Sequence, residues 1–435
     1  MRRYESYKYS GVEWLGEIPS HWECLPIRSI FKFRNEKNDP IKTDNILSLS
    51  IANGVTEYSD ENRGGNKRKD DLSSYKLAYP NDIVLNSMNV IVGAVGVSKY
   101  FGAISPVYYA LSLYNQRANL SYYENIFKNE NFQRGLLRFG KGILIKFGEN
   151  GKMNTIRMKI SQDDLKKLYF PIPPLSEQQK IAQFLDEKTA KINQAVDLAE
   201  KQIALLKEHK QILIQNAVTR GLNPDVPLKD SGVEWIGQVP EHWELTIGMN
   251  VFRENKRDNK GMKENTVLSL SYGKIIIKPE EKLFGLVPES FETYQIVEPN
   301  DIIIRCTDLQ NDQTSLRTGL AQDKGIITSA YLNLKVINNY SAKFLHYYLH
   351  VLDITKVLYK FGSGLRQNLS FLDFKRLPII DVPLAEQQQI ADYLDAQIAK
   401  IDQAIALKTA HIEKLKEYKS VLINDVVTGK VRVSV

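Results

Sequence analysis

The strongest constraint on this 435-residue chain is that it is written twice. The run SGVEWLGEIPSHWE, Ser10 to Glu23, returns as SGVEWIGQVPEHWE, Ser231 to Glu244. A second block, PLSEQQ from Pro174, returns as PLAEQQ from Pro383, and about half of the positions from Ser176 to Thr219 are identical to 385–428. The first block recurs at an offset of 221 and the second at 209, so the intervening stretches differ by 12 residues. Those stretches, 24–170 and 245–380, share only a loose pattern, such as Asn81-Asp82-Ile83-Val84 against Asn300-Asp301-Ile302-Ile303. Repeat units of over 200 residues are too long for a short-period solenoid. Two similar frames therefore carry two different contents.

The second block of each copy predicts a long helix. Between Ser176 and Thr219 there is neither Pro nor Gly, and Gln, Lys, Ala, Leu and Glu dominate. Ser176 with Gln179 offers a capping box after Pro173-Pro174, and Gly221 suits the left-handed residue after a helix. Ala385 replaces the serine in the second copy and leaves that start less defined. Leu185, Thr189, Ile192, Val196, Ala199, Ile203, Leu206, Lys210 and Leu213 step by four and three. Leu394, Ile398, Ile401, Ile405, Lys408, Ile412, Leu415, Lys419 and Leu422 keep the same register, which is a coiled-coil seam with polar interruptions. Each helix would be roughly 65 Å long, and alone it could not bury its stripe.

A two-fold relation between the copies would make the helices an antiparallel pair, a rod with a variable domain near each end. A parallel homodimer through each helix is the alternative. The expected fold class is α+β: two α/β domains separated by two long antiparallel coiled-coil helices, with an internal pseudo-two-fold repeat. The expected boundaries are 1–174 and 222–383 for the variable domains, and 175–221 and 384–435 for the helical segments.

Composition excludes several classes. No apolar run approaches the roughly 20 residues of a membrane span, and the polar start is unlike a secretory signal, so the cytoplasm is the expected compartment. Cys24 and Cys306 are the only cysteines, which excludes a disulfide scaffold and a cysteine zinc site. Lys plus Arg number 58 against 51 Asp plus Glu, a formal charge of +7 that fits a polyanion partner without requiring one.

Motifs that suggest catalysis lack their essential parts. Gly135 to Gly142 resembles a phosphate-binding loop, but Gly142 stands where Ser or Thr must hold magnesium. His346 and His350 have metal-ligand spacing, yet they sit beside Tyr347 and Tyr348 without a Glu or cysteine cluster, which favours an aromatic packing face. His21-Trp22 and His242-Trp243 recur in the repeated frame and read as packing residues. Glu208-His209-Lys210 and Glu417-Tyr418-Lys419 have a nuclease-like form, but they fall inside the helices, where Glu and Lys are ordinary flanking residues. An Asn-Pro-Pro-aromatic methyltransferase tetrapeptide is absent.

What remains is a supply of cations and amides in the variable domains. Arg63, Lys67, Arg68 and Lys69 surround Gly64-Gly65. Arg138, Lys141, Lys146, Lys152, Arg157 and Lys159 are opposed mainly by Glu149. The second domain mixes Arg305, Gln310, Asn311, Arg317, Lys360, Arg366, Gln367 and Asn368. Lys and Arg neutralise phosphates, while Arg, Asn and Gln pair with base edges, so these are the candidate DNA-binding residues.

In its doubled SGVEW…HWE and PLxEQQxIA blocks, and in Phe361-Gly362-Ser363-Gly364-Leu365-Arg366-Gln367-Asn368-Leu369 before the second PLxEQQ, the sequence resembles the specificity (S) subunits of type I restriction-modification systems, the HsdS family. In the first copy the matching stretch, Phe147 to Asn154, departs from that form. The resemblance covers the whole chain. It implies two target recognition domains, each reading half of a bipartite, asymmetric double-stranded DNA site, in a chain that is not itself an enzyme. It implies partners: two methyltransferase (M) subunits that use S-adenosylmethionine, and restriction (R) subunits that use ATP and Mg in phage defence. No cofactor, no metal and no membrane is expected on this chain. The rival readings are a coiled-coil adaptor that binds only proteins, and a stand-alone methyltransferase or nuclease.

Overall fold

The computed structural model describes residues 2–51, 53–59, 71–114, 118–147, 153–279, 290–312, 314–361 and 368–433, with backbone alone for 143–147 and 153–158. It divides into two compact units. Met1–Ala199 with Ala410–Val435 form the first, and Glu200–Thr409 form the second.

The two variable stretches adopt one topology. In the first unit a four-stranded antiparallel sheet runs in the order Phe31–Arg34, Tyr108–Leu113, Ile83–Asn86, Val95–Val97. In the second the order is Phe252–Glu254, Leu332–Val336, Ile302–Ile304, Thr318–Leu320, again antiparallel. The central strands are β-branched and aliphatic, and Ile83, Val84, Leu85, Ile302, Ile303 and Ile304 are fully buried, as a strand covered on both faces requires.

The loose Asn-Asp-Ile pattern is the turn that feeds this strand. Asn81 and Asn300 both stand at φ 70. The next residue's carboxylate accepts a backbone N–H three residues back, Tyr79 N to Asp82 Oδ2 at 2.9 Å and Glu298 N to Asp301 Oδ2 at 2.9 Å. Asn is among the few residues that tolerate the left-handed region, and Asp closes the turn, so this dipeptide survives where the rest diverges. Buried Asn38 and Asn259 likewise each close a loop, donating to Thr43 O and Leu72 O in one unit and to Glu264 O and Phe291 O in the other.

The unequal lengths have a local cause. An antiparallel hairpin, Lys141–Phe147 with Met153–Lys159, follows the 3-10 turn Leu137–Phe139 in the first unit. In the second unit the 3-10 turn Val357–Lys360 leads through Phe361 to Leu369 in far fewer residues. Phe361 directly follows its 3-10 turn, whereas Phe147, which opens the stretch matched to it, ends a hairpin strand.

Leu175–Arg220 and Leu384–Val427 are the long helices. The first unit's core takes Ile181, Leu185 and Ile192 from the central helix and Leu422, Ile423, Val426 and Val427 from the C-terminal one. The second takes Ile390 and Leu394 from the C-terminal helix and Ile214, Ala217 and Val218 from the central one. The polar interruptions of the seam are interhelical bonds. Lys419 Nζ reaches Asn193 Oδ1 at 2.7 Å in the first unit. In the second, Lys408 Nζ reaches Gln202 Oε1 and Lys210 Nζ reaches Asp402 Oδ1, both at 2.7 Å, so rising numbers meet falling numbers and the pair is antiparallel. All three lysines belong to the seam, and Lys210 and Lys419 are those of the two Glu-x-Lys triplets, which accounts for the triplets without chemistry.

The helix starts differ from the expected capping box. Both begin at the Leu of the repeated block, one residue before Ser176 and Ala385, so neither residue is the N-cap. The first Gln of each Glu-Gln-Gln organises the start instead. Gln178 Nε2 donates to Pro173 O at 2.8 Å and Gln387 Nε2 to Val382 O at 2.7 Å, while their Oε1 atoms accept from Asn119 N and Ser341 N, both at 2.8 Å. Both glutamines are fully buried, so the missing serine costs the second start nothing. Gly221 ends the central helix at φ 75, as its position predicts. Among the described residues no helix is long and apolar enough to cross a membrane.

Candidate nucleic-acid interface

The repeated blocks meet in a clamp that recurs in each unit. In the first, Trp22 Nε1 donates to Glu177 Oε2 at 3.0 Å, and His21 Nε2 lies 2.7 Å from Oε1. In the second, Trp243 Nε1 donates to Glu386 Oε2 at 3.0 Å, and His242 Nε2 lies 2.8 Å from Oε1. Both indoles are fully buried. A glycine ends the helix that packs on each ring: a Cβ on Gly429 would come 2.8 Å from Trp22 Cη2, and one on Gly221 3.3 Å from Trp243 Cζ2. The first clamp has an extra donor, Tyr4 Oη to Glu177 Oε2 at 3.0 Å. Burial alone would raise the Glu177 carboxyl, but hydrogen bonds from His21, Trp22 and Tyr4 outweigh it and hold it below the ordinary value. His21 and His242 are thus frame residues, and Glu177 and Glu386 are the partners that sequence reasoning missed. The signal was present, since all of them lie inside the repeated blocks.

The frame presents two surfaces of unlike chemistry. In the first unit Lys141 and Lys159 sit directly opposite one another in the hairpin ladder, both exposed. Like charges in that arrangement destabilise a ladder unless an anion lies between them. From 141 to 159 the sequence holds Lys141, Lys146, Lys152, Arg157 and Lys159 against Glu149 alone. Lys146 and Arg157 lie on the strand backbones, their side chains outside the described residues, as Lys152 is entirely. Arg138, at the hairpin's base, pairs with Glu13 at 2.8 Å, an exposed contact weak enough to exchange for a phosphate. The Gly135–Gly142 segment that resembles a phosphate loop is helix, 3-10 turn and strand start, with Gly135 against Trp14.

In the second unit the loop from Arg305 to Arg317 is closed from within. Arg317 is fully buried. Its Nη1 donates to Arg305 O at 3.2 Å and Thr307 O at 2.8 Å, Nη2 to Asp308 O at 3.2 Å and to Asp312 O, and Nε to Tyr359 Oη at 2.9 Å. The Arg317 backbone N–H donates to Asp353 Oδ2 at 2.6 Å. This corrects the expectation that Arg317 contacts DNA: its side chain is spent on the loop's own carbonyls. Tyr359 and Asp353, its partners, carry no sequence signal, because only the fold brings them together.

Arg305 pairs with Asp312 at 3.1 Å at the rim, while Gln310, Asn311, Lys360 and Asn368 are exposed. Asn368 Oδ1 accepts from Asp308 N at 3.0 Å, and Leu369 N donates to Cys306 O at 2.9 Å, so the loop is pinned beside Asn368. The first unit repeats the latter contact as Ile160 N to Ser87 O at 3.0 Å. Arg63, Lys67, Arg68, Lys69, Arg366 and Gln367 lie outside the described residues.

His346 and His350 have ring centroids 6.4 Å apart, and His346 packs on Tyr347 at 5.9 Å. Burial lowers both to about 4, so they are neutral packing rings at neutral pH. Among the described residues no three His, Cys, Asp or Glu are grouped to hold a metal.

Comparison with known proteins agrees with this architecture. The sequence profile of the type I restriction modification DNA specificity domain matches residues 19–203 and 254–417. A Methanocaldococcus jannaschii protein, provisionally assigned as the MjaX specificity subunit of a type I restriction enzyme, is 25% identical, with 96% of each chain covered. The MjaVIII specificity subunit of the same organism is 22% identical over 96% of this chain and 94% of its own. A chain solved in work on assembly and conformational transition of the type I R-M system superposes with a TM-score of 0.68 at 13% identity, covering 95% of this chain and 99% of that one. The HsdS subunit from Thermoanaerobacter tengcongensis gives 0.54 at 13% identity, covering 95% and 98%. With two profile matches on two units of one topology, this chain belongs to the type I restriction-modification DNA specificity family.

Proposed function

We propose that the chain is the non-catalytic DNA reader of a type I restriction-modification complex, with each unit reading one half of a bipartite, asymmetric site. The observation that carries this reading is the combination of one sheet order and one clamp in both units with two unlike surfaces. A duplicated frame supplies two equivalent readers; divergent loops give them different half-sites. The variable stretch 24–170 is then a replaceable cassette.

The helices carry the methyltransferase subunits. Leu198, Leu205 and Ile212 are exposed at intervals of seven on the central helix, and Leu407 and Val421 on the C-terminal one, whereas the seam positions are buried or half-buried. A helix that has already found its partner yet keeps a second apolar stripe suits a further helix against it. Two copies of the frame suggest two such subunits. S-adenosylmethionine would be bound there, and ATP and Mg on restriction subunits, with the assembly acting in the cytoplasm.

A base-resolution map of methylated adenine in the host genome, with and without the gene, tests the reading. Loss of one bipartite motif is the expected result, and an unchanged methylome would refute it. Exchanging 24–170 for the matching stretch of a relative should alter one half-site only; change in both would count against independent readers.

A further inference from the structure

We infer that Gln310 and Asn311 read base edges in the half-site of the second unit, and that Arg317 is the positioning residue that holds their loop ready. The inference rests on the DNA-reading role proposed above.

The loop is preformed. A single guanidinium collects four carbonyls between Arg305 and Asp312, and Tyr359 Oη, which donates to Asp312 O at 3.3 Å, sits against it. Only the planar fork of arginine offers five donors in fixed directions to do this. Asp308 stands at φ 62, a strained value for a side-chain-bearing residue that persists only where its surroundings over-determine it. All this internal wiring leaves two consecutive amides at the exposed tip. Asn311 Nδ2 donates to Asp308 Oδ1 at 2.7 Å, which fixes the side chain and leaves its oxygen and second N–H without a partner among the described residues. Gln310 has no hydrogen bond to a described residue and is exposed.

Charge separates base reading from phosphate holding. Arg305 and Arg317 are balanced by Asp308 and Asp312, so the loop has no net charge with which to release counterions. An amide presents a donor beside an acceptor, the pattern complementary to N7 and N6 of adenine in the major groove. A neutral, rigid loop tipped with amides can therefore contribute specificity while adding little to sequence-independent affinity.

The test maps methylated bases in hosts carrying the full-length wild-type gene, a deletion, Gln310→Ala, Asn311→Ala or Arg317→Lys. For each alanine variant, discrimination at one position of the second half-site should fall by about tenfold. The other half-site, the spacer and the chain's melting temperature should stay unchanged. Arg317→Lys, which cannot span four carbonyls, should relax the same positions. An unaltered motif in both alanine variants overturns the inference, as does uniform weakening at every site, which would place the amides on the DNA backbone. An unaltered motif in Arg317→Lys overturns the positioning role. If the lysine unfolds the unit, the two surface variants still decide the reading residues. A motif that survives the gene deletion would instead refute the DNA-reading role itself, a separate outcome.

Discussion

The first unit fills the space behind the loop that follows its central strand with hydrocarbon, the second with an arginine. After the strand Ile83–Asn86, the first unit turns through Val90–Val92, and Val90 and Ile91 are buried in the core. After Ile302–Ile304, the second turns around the Arg317 guanidinium. Both loops are then fixed to the same neighbour, Ile160 in one and Leu369 in the other. The frame demands that the loop be filled and pinned, and is indifferent to how. An apolar plug needs only shape, whereas an arginine also dictates where each carbonyl points, so the second loop is held in one conformation. The first unit places its cations elsewhere, on the 141–159 hairpin.

Breaking that comparison begins with the plug. Arg317→Met leaves four carbonyls unmet and should destabilise the second unit by about 3–5 kcal/mol. Ile91→Ala in the first should cost about 2–4 kcal/mol. Amide hydrogen exchange, read separately in each unit, checks both; near-equal small losses would mean that the arginine is not the loop's organiser.

The surfaces should differ in salt response. Replacing Lys141 and Lys159 together by Gln should lower the slope of log affinity against log salt by about 2 in the assembled complex, without changing base preference. Gln310→Ala should do the reverse, relaxing one base position with the slope unchanged. A salt effect at Gln310 would erase the proposed division between phosphate and base contacts.

The clamps sharpen the comparison further. Glu177 accepts from three side chains and Glu386 from two. Glu177→Gln should cost about 1–2 kcal/mol, and Glu386→Gln about 1 kcal/mol or less, by denaturant melts. Because the Glu177 carboxyl is depressed in the folded state, its contribution is complete above its ordinary value of 4.5 and is lost as pH falls through the lower folded value. Glu177→Gln should flatten that acid limb.

At neutral pH the smallest effect is expected at His346 and His350, which are then uncharged in the folded chain. Both are depressed to about 4, from 6.5, by burial, with His350 adding to the first and Lys210 to the second. The unfolded chain therefore binds more protons between those values, so stability falls as pH drops from 6.5 to about 4. The first unit holds the Glu124–Lys128 ion pair, at 2.7 Å, on its corresponding helix. Replacing His346 and His350 by Gln should remove that part of the second unit's pH dependence, as melting temperatures across this range would show.

The amino-acid sequence by itself determined the duplicated frame, the long helices with their apolar seam, and the membership these imply, while the bonds from Lys210 and Lys408 decided for an antiparallel pair over a parallel homodimer. Each rests on periodic or repeated residues, whose physical demand is local and survives being read in one dimension. The burial of Trp22 and Trp243 was legible for the same reason. Only the tertiary structure decided that 24–170 and 245–380 each build a sheet of the same strand order, because β pairing joins residues far apart and tolerates almost any apolar side chain. Only it separated Arg317 from Arg305, since whether an arginine faces solvent or its own loop's carbonyls depends on Asp353 and Tyr359, which fold back onto it from 36 and 42 residues away.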